Sequence, residues 1–258
     1  MPRADPAAGA GLLIVNADDW GLDAPTTDAI ETCFRAGRIT SATAMVFMAD
    51  SQPAAARANE LGLPVGLHLN LSQPYTAAGV PEGVEARHAR LTTRFGDRGR
   101  RWRRWAPSPG ASSVIAQIVV DQLREFEALY GSPPTHVDGH KHVQVSPSVA
   151  RAPALAGIML RRAFTDPPGT PAPLRVARAV RHRIALGRTP GTDRLLPLWT
   201  LREDLRAGRL PAGLALPLTD VVEVMAHPGL ERELPLLMTD AWAQVLASAP
   251  LGTYADLR

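Results

Sequence analysis

Three short apolar runs, with a helical stretch after each of the first two and polar residues at their ends, constrain this chain most. Gly11-Leu12-Leu13-Ile14-Val15-Asn16-Ala17 is a nearly continuous apolar run, the mark of a strand buried on both faces. Asp23 can cap a helix over 24–36, with Pro25 early in it and Ala29, Ile30, Cys33 and Phe34 at helical spacing. Gly37 closes that helix. Ser41 to Phe47 predicts a second strand, 51–61 an alanine-rich helix stopped by Gly62, and Val65 to Leu71 a third strand. Strands alternating with helices in this way need crossover connections, so a parallel α/β sheet with right-handed crossovers is expected.

Residues 72–110 break the rhythm with scattered prolines and glycines and the basic run Arg98-Gly99-Arg100-Arg101-Trp102-Arg103-Arg104-Trp105. They are expected to form an irregular insertion at the rim of the domain. An amphipathic helix over 111–130 follows, stopped by Gly131, and then a fourth strand running into His136-Val137-Asp138-Gly139-His140-Lys141-His142. Beyond it the pattern predicts a helix over 146–156, a strand over 158–164, a basic helix over 173–186 and a loop over 187–197. A short helix over 201–207, a strand over 220–226 and a helix over 240–247 capped by Thr239 complete the chain. No repeat or linker divides the sequence, and 258 residues suit a single α/β domain over 1–258.

Composition narrows the class. Apolar residues make up 45% and charged residues 21%, ordinary for a globular protein. The single cysteine, Cys33, excludes an internal disulfide framework and favours a cytoplasmic location. No run approaches the roughly 18 apolar residues of a membrane span, and Met1 to Ala10 lacks the apolar segment of a signal peptide. The net charge is only +3, and Lys141 is the sole lysine among arginines. With no recognisable binding motif, nucleic acid is not the expected partner. A homodimer is compatible with the sequence.

Titratable residues gather where strands end. Asp18 and Asp19 end the first strand, His68 lies towards the end of the third, and His227 follows the late strand. The fourth strand carries three of the seven histidines and a carboxylate within seven residues. On an extended segment His136, Asp138, His140 and His142 would share one face. Four such groups are costly to bury together unless something cationic or a proton network satisfies them. A divalent metal is the simplest answer, because imidazole and carboxylate together suit Zn, Ni, Co, Fe or Mn. In parallel α/β folds the strand C-termini converge on one rim, which would deliver all these groups to one place. A bound water acidified by such a metal, a second carboxylate to take its proton and an independent imidazole to protonate an amine are the equipment for amide hydrolysis.

Several stretches together resemble the YdjC-like carbohydrate deacetylase family, whose characterised members include chitooligosaccharide deacetylases. They are Asn16-Ala17-Asp18-Asp19-Trp20-Gly21-Leu22, Thr40 to Val46, Gly66-Leu67-His68-Leu69-Asn70, Thr135 to Val143, Glu223-Val224-Met225-Ala226-His227-Pro228-Gly229 and Gly252-Thr253-Tyr254. The chain departs from the family at Gln144, where another histidine is frequent, and at Trp20, where Phe is common. The resemblance implies a (β/α)-barrel, incomplete or distorted, related to the polysaccharide deacetylases. It implies one divalent metal, Mg or Zn, held by Asp19, His68 and His140, with Asp18 as general base and His227 as general acid. His136, Asp138 and His142 would orient the ligands, Arg161 would pair with Asp18, and Trp20 and Asn70 would contact substrate. The reaction implied is removal of an acetyl group from an N-acetylated amino sugar or oligosaccharide, a small carbohydrate substrate. Alternatives are an amidohydrolase acting on another acyl amide or on a lipid-linked amino sugar, for which the Arg98–Trp105 run speaks, and a non-catalytic carbohydrate- or nucleic-acid-binding protein.

Overall fold

Side-chain alternation along the first strand sets the architecture. In strand β1 (Leu12–Trp20), Leu13, Val15 and Ala17 join the large core under the helices, whereas Leu12 and Ile14 pack into a separate small cluster with Met159 and Tyr254. The strand therefore buries both faces, one against helices and one inside a curled sheet. On the inner face the character changes along the strand, from Leu12 and Ile14 to Asn16 and Asp18. The inside is apolar at one end and polar at the other.

The computed structural model describes residues 11–96, 109–162, 171–177, 180, 191–214, 218 and 220–257. β2 (Ser41–Ala44), β3 (Val65–Leu69), β4 (Val137–Gly139), β5 (Arg194–Pro197) and β6 (Val221–Ala226) join β1 in one sheet of order β4-β3-β2-β1-β6-β5. Every pairing is parallel. Beyond β4, Leu160 forms a bridge to Val137, with Val137 N–H donating to Met159 O and Arg161 N–H to Val137 O. The edge at Leu160 and the edge at β5 are the two lips of an incomplete barrel, and a Cβ on Gly191 would lie 3.5 Å from the Leu160 carbonyl oxygen. The expected distorted (β/α)-barrel is the fold observed.

The helices cover the outside. α1 (Ala24–Arg35) is capped by Asp23, whose Oδ1 accepts from Thr26 N–H at 2.9 Å, and Gly37 ends the turn at φ 66°. α2 (Ser51–Leu61) and α4 (Ser112–Tyr130) pack against one another and feed Ala54, Ala58, Ile118, Val119 and Phe126 into the core. No helix among the described residues is long and apolar enough to cross a membrane.

Three expectations are corrected. The segment 72–110 is not irregular throughout, because Glu82–Gly96 forms a helix, α3. Its buried face is Val84, His88, Leu91 and Phe95, a helical spacing that the polar His88 disguises. Arg87 ties α3 to Asp121 of α4 at 2.8 Å. Within 187–197, read as loop, Arg194–Pro197 is the edge strand β5, too short to carry a periodic signal. The helix over 146–156 is two short turns, Pro147–Ala150 and Pro153–Leu155, split by Pro153. The Arg98–Trp105 run, all of 163–170 and most of the later part of the 173–186 helix lie outside the described residues.

His88 generates a prediction about folding. Its Nε2–H donates to Asn70 O at 3.0 Å and its ring stacks on Tyr75 with centroids 3.7 Å apart. Burial pushes its pKa down to about 4 from the ordinary 6.5, against the pull of that hydrogen bond. The unfolded chain therefore binds more protons between those values, so the contribution of His88 is complete above pH 6.5 and is lost as pH falls towards 4. The loss approaches ~3 kcal/mol at the acid end. His88→Gln, neutral and still able to donate to Asn70 O, should show a flatter melting temperature between pH 6.5 and 4 by thermal denaturation. An unchanged slope would remove His88 from the acid sensitivity.

Candidate active site

The polar end of the barrel is a continuous hydrogen-bonded cluster. Asn16 Nδ2 donates to Asp18 Oδ1 (3.0 Å) and to Thr43 Oγ1 (3.1 Å), while Ser41 Oγ donates to Asn16 Oδ1 (2.8 Å). Thr43 Oγ1 donates to Asp138 Oδ2 at 3.0 Å, linking β2 to β4. Gly66 makes room on β3 for the His136 ring, since a Cβ there would sit 2.5 Å from His136 Nδ1.

Consecutive residues on a strand point to opposite faces, so Asp18 and Asp19 could not both reach the inside if β1 stayed regular. The strand departs from regularity at that point. Its register to β2 slips between Ala17 and Trp20, and Asp19 takes a left-handed φ of 74°. Phe47, Lys141 and His142 also have positive φ among the described non-glycine residues, and all four lie at the C-terminal ends of β1, β2 and β4. Strain of this kind, roughly 1–3 kcal/mol per residue, persists where the surroundings over-determine the backbone, commonly at functional sites.

The turn at Asp19 brings its carboxylate to two histidines. Oδ1 lies 3.2 Å from His68 Nε2 and 3.0 Å from His140 Nδ1. Ligand atoms of the three residues all fall within 4.8 Å of one another. His68 Nδ1 faces Asp138 Oδ1 at 2.6 Å and donates to it, leaving Nε2 buried without a hydrogen-bond partner. That lone pair then confronts a carboxylate oxygen, an arrangement that needs a cation between them. A proton on Nε2 satisfies it in the metal-free chain, and a divalent cation would satisfy all three residues at once. The donor set of one carboxylate and two imidazoles fits a first-row divalent ion. Burial alone would raise the Asp19 pKa, but the hydrogen bond from His140 and the His68 imidazole beside it hold it well below the usual range. Burial would lower that of His68, but the Asp138 carboxylate holds it well above the ordinary value.

Asp18 faces a different partner. Arg161 grips it with two parallel bonds, Nη1 to Oδ2 and Nη2 to Oδ1, each 2.7 Å. Oδ1 also accepts from Asn16, so it is saturated, whereas Oδ2 lies 3.8 Å from His227 Nε2 with a lone pair free on that side. Burial would raise the Asp18 pKa, and Arg161, His68 and His227 overcome this and hold it below the usual range. His227 is anchored by its backbone N–H to Glu233 Oε2 at 2.7 Å. Burial would lower its imidazole pKa, but Glu233 and then Asp18 raise it above the ordinary value, which favours a protonated ring.

The other expected site residues divide. Asp138, expected to orient the ligands, touches His68, Thr43 and Arg161. His136 forms no hydrogen bond to Asp19, His68 or His140; it stacks on Tyr254 with centroids 3.6 Å apart, and burial pushes its pKa down to about 3. The strand ends at Gly139 and Lys141 and His142 turn left-handed, so alternation does not carry His142 onto the Asp138 face. No hydrogen bond joins His142 to the three candidate ligands among the described residues. Trp20 and Asn70, expected at the substrate, are both fully buried. Trp20 belongs to the core, and the Asn70 side chain braces its own loop through Gln73 O, Ser72 N–H and Gln73 N–H. Gln144 Nε2 points to the Arg161 carbonyl at 3.5 Å and so supports the barrel lip.

Sequence reasoning assigned no role to Thr43, Glu223, Glu233 or Tyr254. Glu223 left a readable signal, a lone carboxylate in the middle of the apolar Val221–Ala226 strand. An arginine–tryptophan cluster also occurs among the described residues, at the end of β5 rather than in the 98–105 run. Arg202, Arg206 and Arg232 lie 4.6, 5.7 and 4.9 Å from the centre of the Trp199 ring.

Residues 12–249 match the model of the family described as YdjC-like protein. A chitooligosaccharide deacetylase of Serratia marcescens is 33% identical over 184 residues, 70% of this chain and 66% of that protein. A carbohydrate deacetylase of Mus musculus is 32% identical over 246 residues, covering 84% of this chain and 77% of that protein. This chain therefore spans about two thirds of the length of the Serratia protein. A crystal structure from Enterococcus faecalis V583, of a candidate cellobiose-phosphate cleavage protein, shares the fold with a TM-score of 0.67 at 18% identity, over 96% of this chain and 99% of that one. The family match covers nearly the whole barrel and every residue of the polar cluster except Tyr254, and this chain belongs to the YdjC-like family.

Proposed function

We propose that this chain is a carbohydrate N-deacetylase that hydrolyses the acetamide of an N-acetylated amino sugar or oligosaccharide to acetate and a free amine. The carrying observation is the placement of Asp18 Oδ2 and His227 Nε2 3.8 Å apart, beside the Asp19–His68–His140 group. The names of the Serratia and mouse relatives support a sugar as the substrate. One divalent ion, Mg or Zn, would be held by Asp19, His68 and His140; the two imidazoles favour Zn. When bound, it supplies Lewis acidity to the acetamide carbonyl and lowers the pKa of water.

The chain's own groups account for the protons. Asp18 Oδ2 takes one from the attacking water as its oxygen bonds to the acetyl carbon, and Arg161 holds the carboxylate in place. His227, kept protonated by Glu233 and Asp18, gives a proton to the sugar nitrogen as the C–N bond breaks. Asp138 fixes the tautomer of His68 so that Nε2 presents its lone pair to the cation. The readings with another acyl amide or a lipid-linked amino sugar drew on the Arg98–Trp105 run, and no described residue favours them.

Two measurements test this. Acetate release from di-N-acetylchitobiose and a panel of N-acetylated sugars, with Zn or Mg added, should be lost by about 10²–10⁴-fold in Asp18→Asn, while metal content by elemental analysis stays unchanged. Full turnover in that variant would remove Asp18 as the base. Separately, Asp138→Asn should weaken metal binding by about 10–100-fold in calorimetric titration, since His68 loses the partner that sets its tautomer. Unchanged affinity would place the metal elsewhere.

A further inference from the structure

The base sits on a scaffold that reaches the far end of the barrel. Glu223 lies in register with Ile14 at the middle of β6, and its side chain points inside with no solvent exposure. A carboxylate in such a place is costly unless both oxygens are satisfied. Both are: Oε1 accepts from Arg161 Nε at 2.7 Å and Oε2 from the Tyr254 hydroxyl at 2.6 Å. Tyr254 belongs to the last turn of the chain, stacks on His136 at 3.6 Å and packs with Leu12, Ile14 and Met159. It closes the apolar end of the barrel, and its hydroxyl is the one polar atom that this cluster turns towards the site.

The three carboxylates around Arg161 have separate tasks. Asp18 occupies both terminal nitrogens, and Asp138 shares Nη1. Glu223 alone holds Nε, the nitrogen that joins the guanidinium to its chain. With Nε pinned, the guanidinium plane cannot turn, and that plane dictates which way the Asp18 carboxylate faces. Oδ1 is thereby kept against Asn16 and Oδ2 is presented to His227. Filling the floor would not by itself call for this network, because well-packed apolar groups of similar volume are commonly as stable as a buried ion pair.

Resting on the deacetylase reading, we propose that Glu223, backed by Tyr254, is a positioning residue for the reaction: it locks the plane of Arg161 and so aims Asp18 Oδ2 at the attacking water. It touches neither substrate nor the candidate metal ligands. Its removal should therefore lower kcat and leave KM and metal content alone, since misplacing a reacting group by about 1 Å can cost about 10²-fold in rate.

The test compares wild type, Glu223→Ala, Glu223→Gln and Tyr254→Phe as metal-loaded full-length proteins. Acetate release gives kcat and KM, elemental analysis gives metal content, and melting temperature reports folding. Glu223→Ala should lose about 10–100-fold in kcat at unchanged KM and metal content. Glu223→Gln should recover most of that loss, because its amide oxygen still accepts from Arg161 Nε and its amide nitrogen can donate to the Tyr254 oxygen. Tyr254→Phe, which removes one hydrogen bond and little volume, should lose a few-fold in kcat only, and it decides the matter if Glu223→Ala fails to fold. Wild-type turnover with Glu223→Ala equally fast, or with Gln as slow as Ala, or with KM or metal content falling in step with kcat, would overturn the positioning role alone. A wild-type protein that releases no acetate from any sugar would take down the deacetylase reading and this proposal with it.

Discussion

The Arg161 guanidinium, fully buried among the carboxylates of Asp18, Asp138 and Glu223, is the interaction on which the rest of the structure depends. Those acids come from β1, β4 and β6, and Arg161 comes from the edge segment that bridges to β4. One side chain thus connects the neighbouring strands β1 and β6 to β4 at the far side of the sheet, and does so from inside. A closed barrel is held by its own ladder, whereas an open one has two edges that nothing in the backbone compels to stay together. Here the contact across the interior does that work, one guanidinium bonded by three carboxylates. Removing one partner of such a buried group leaves an uncompensated charge, at a cost of about 3–5 kcal/mol. The site and the fold therefore share their central element.

The gradient along the barrel axis follows from the same arrangement. Leu12, Ile14 and Met159 exclude water at one end, which leaves a low-dielectric floor beneath the carboxylates. Asn16, Thr43 and Asp138 then satisfy one another layer by layer up to the rim. Interactions among charges strengthen as water is excluded, so the groups at the rim act with more force than the same groups on a surface. Strain is stored in the same place, at Asp19, Phe47, Lys141 and His142, and the ordered network below them holds it there.

Much of this was legible in the sequence, for identifiable reasons. The β1, β2, β3 and β6 runs are buried on both faces and read as apolar segments, and Asp18, Asp19, His68 and His227 stand out towards their ends, as His140 does after β4. What escaped was carried by geometry that residue patterns do not encode. Period two predicted one face for His136 to His142, but the left-handed turn after Gly139 ends the period, and three of those residues have separate surroundings. Trp20 and Asn70 lie in the same motifs as the candidate ligands yet face the core and a loop, Trp20 beside the bulge in β1 and Asn70 in the turn after β3. β5 is only four residues long, and α3 hides its apolar face behind His88. Tyr254 is distant in sequence from everything it touches, and only the curl of the sheet brings it to Glu223.

The doublet Asp18-Asp19 shows how far the backbone decides the chemistry. Two identical side chains, adjacent in sequence, would have interchangeable titration if their surroundings were alike. The slip in β1 separates them into different electrostatic settings within one residue. Asp18 stays inside the strand and meets a guanidinium that can never give up its proton, so its carboxylate is fixed in direction and keeps one oxygen open. Asp19 turns to the rim and meets the imidazoles of His68 and His140, a donor set that suits a divalent ion. A regular strand would have sent one of them into the helical core, where a bare carboxylate has no partner. The strained turn at Asp19 is thus what separates an acidic doublet into the proposed base and the proposed ligand.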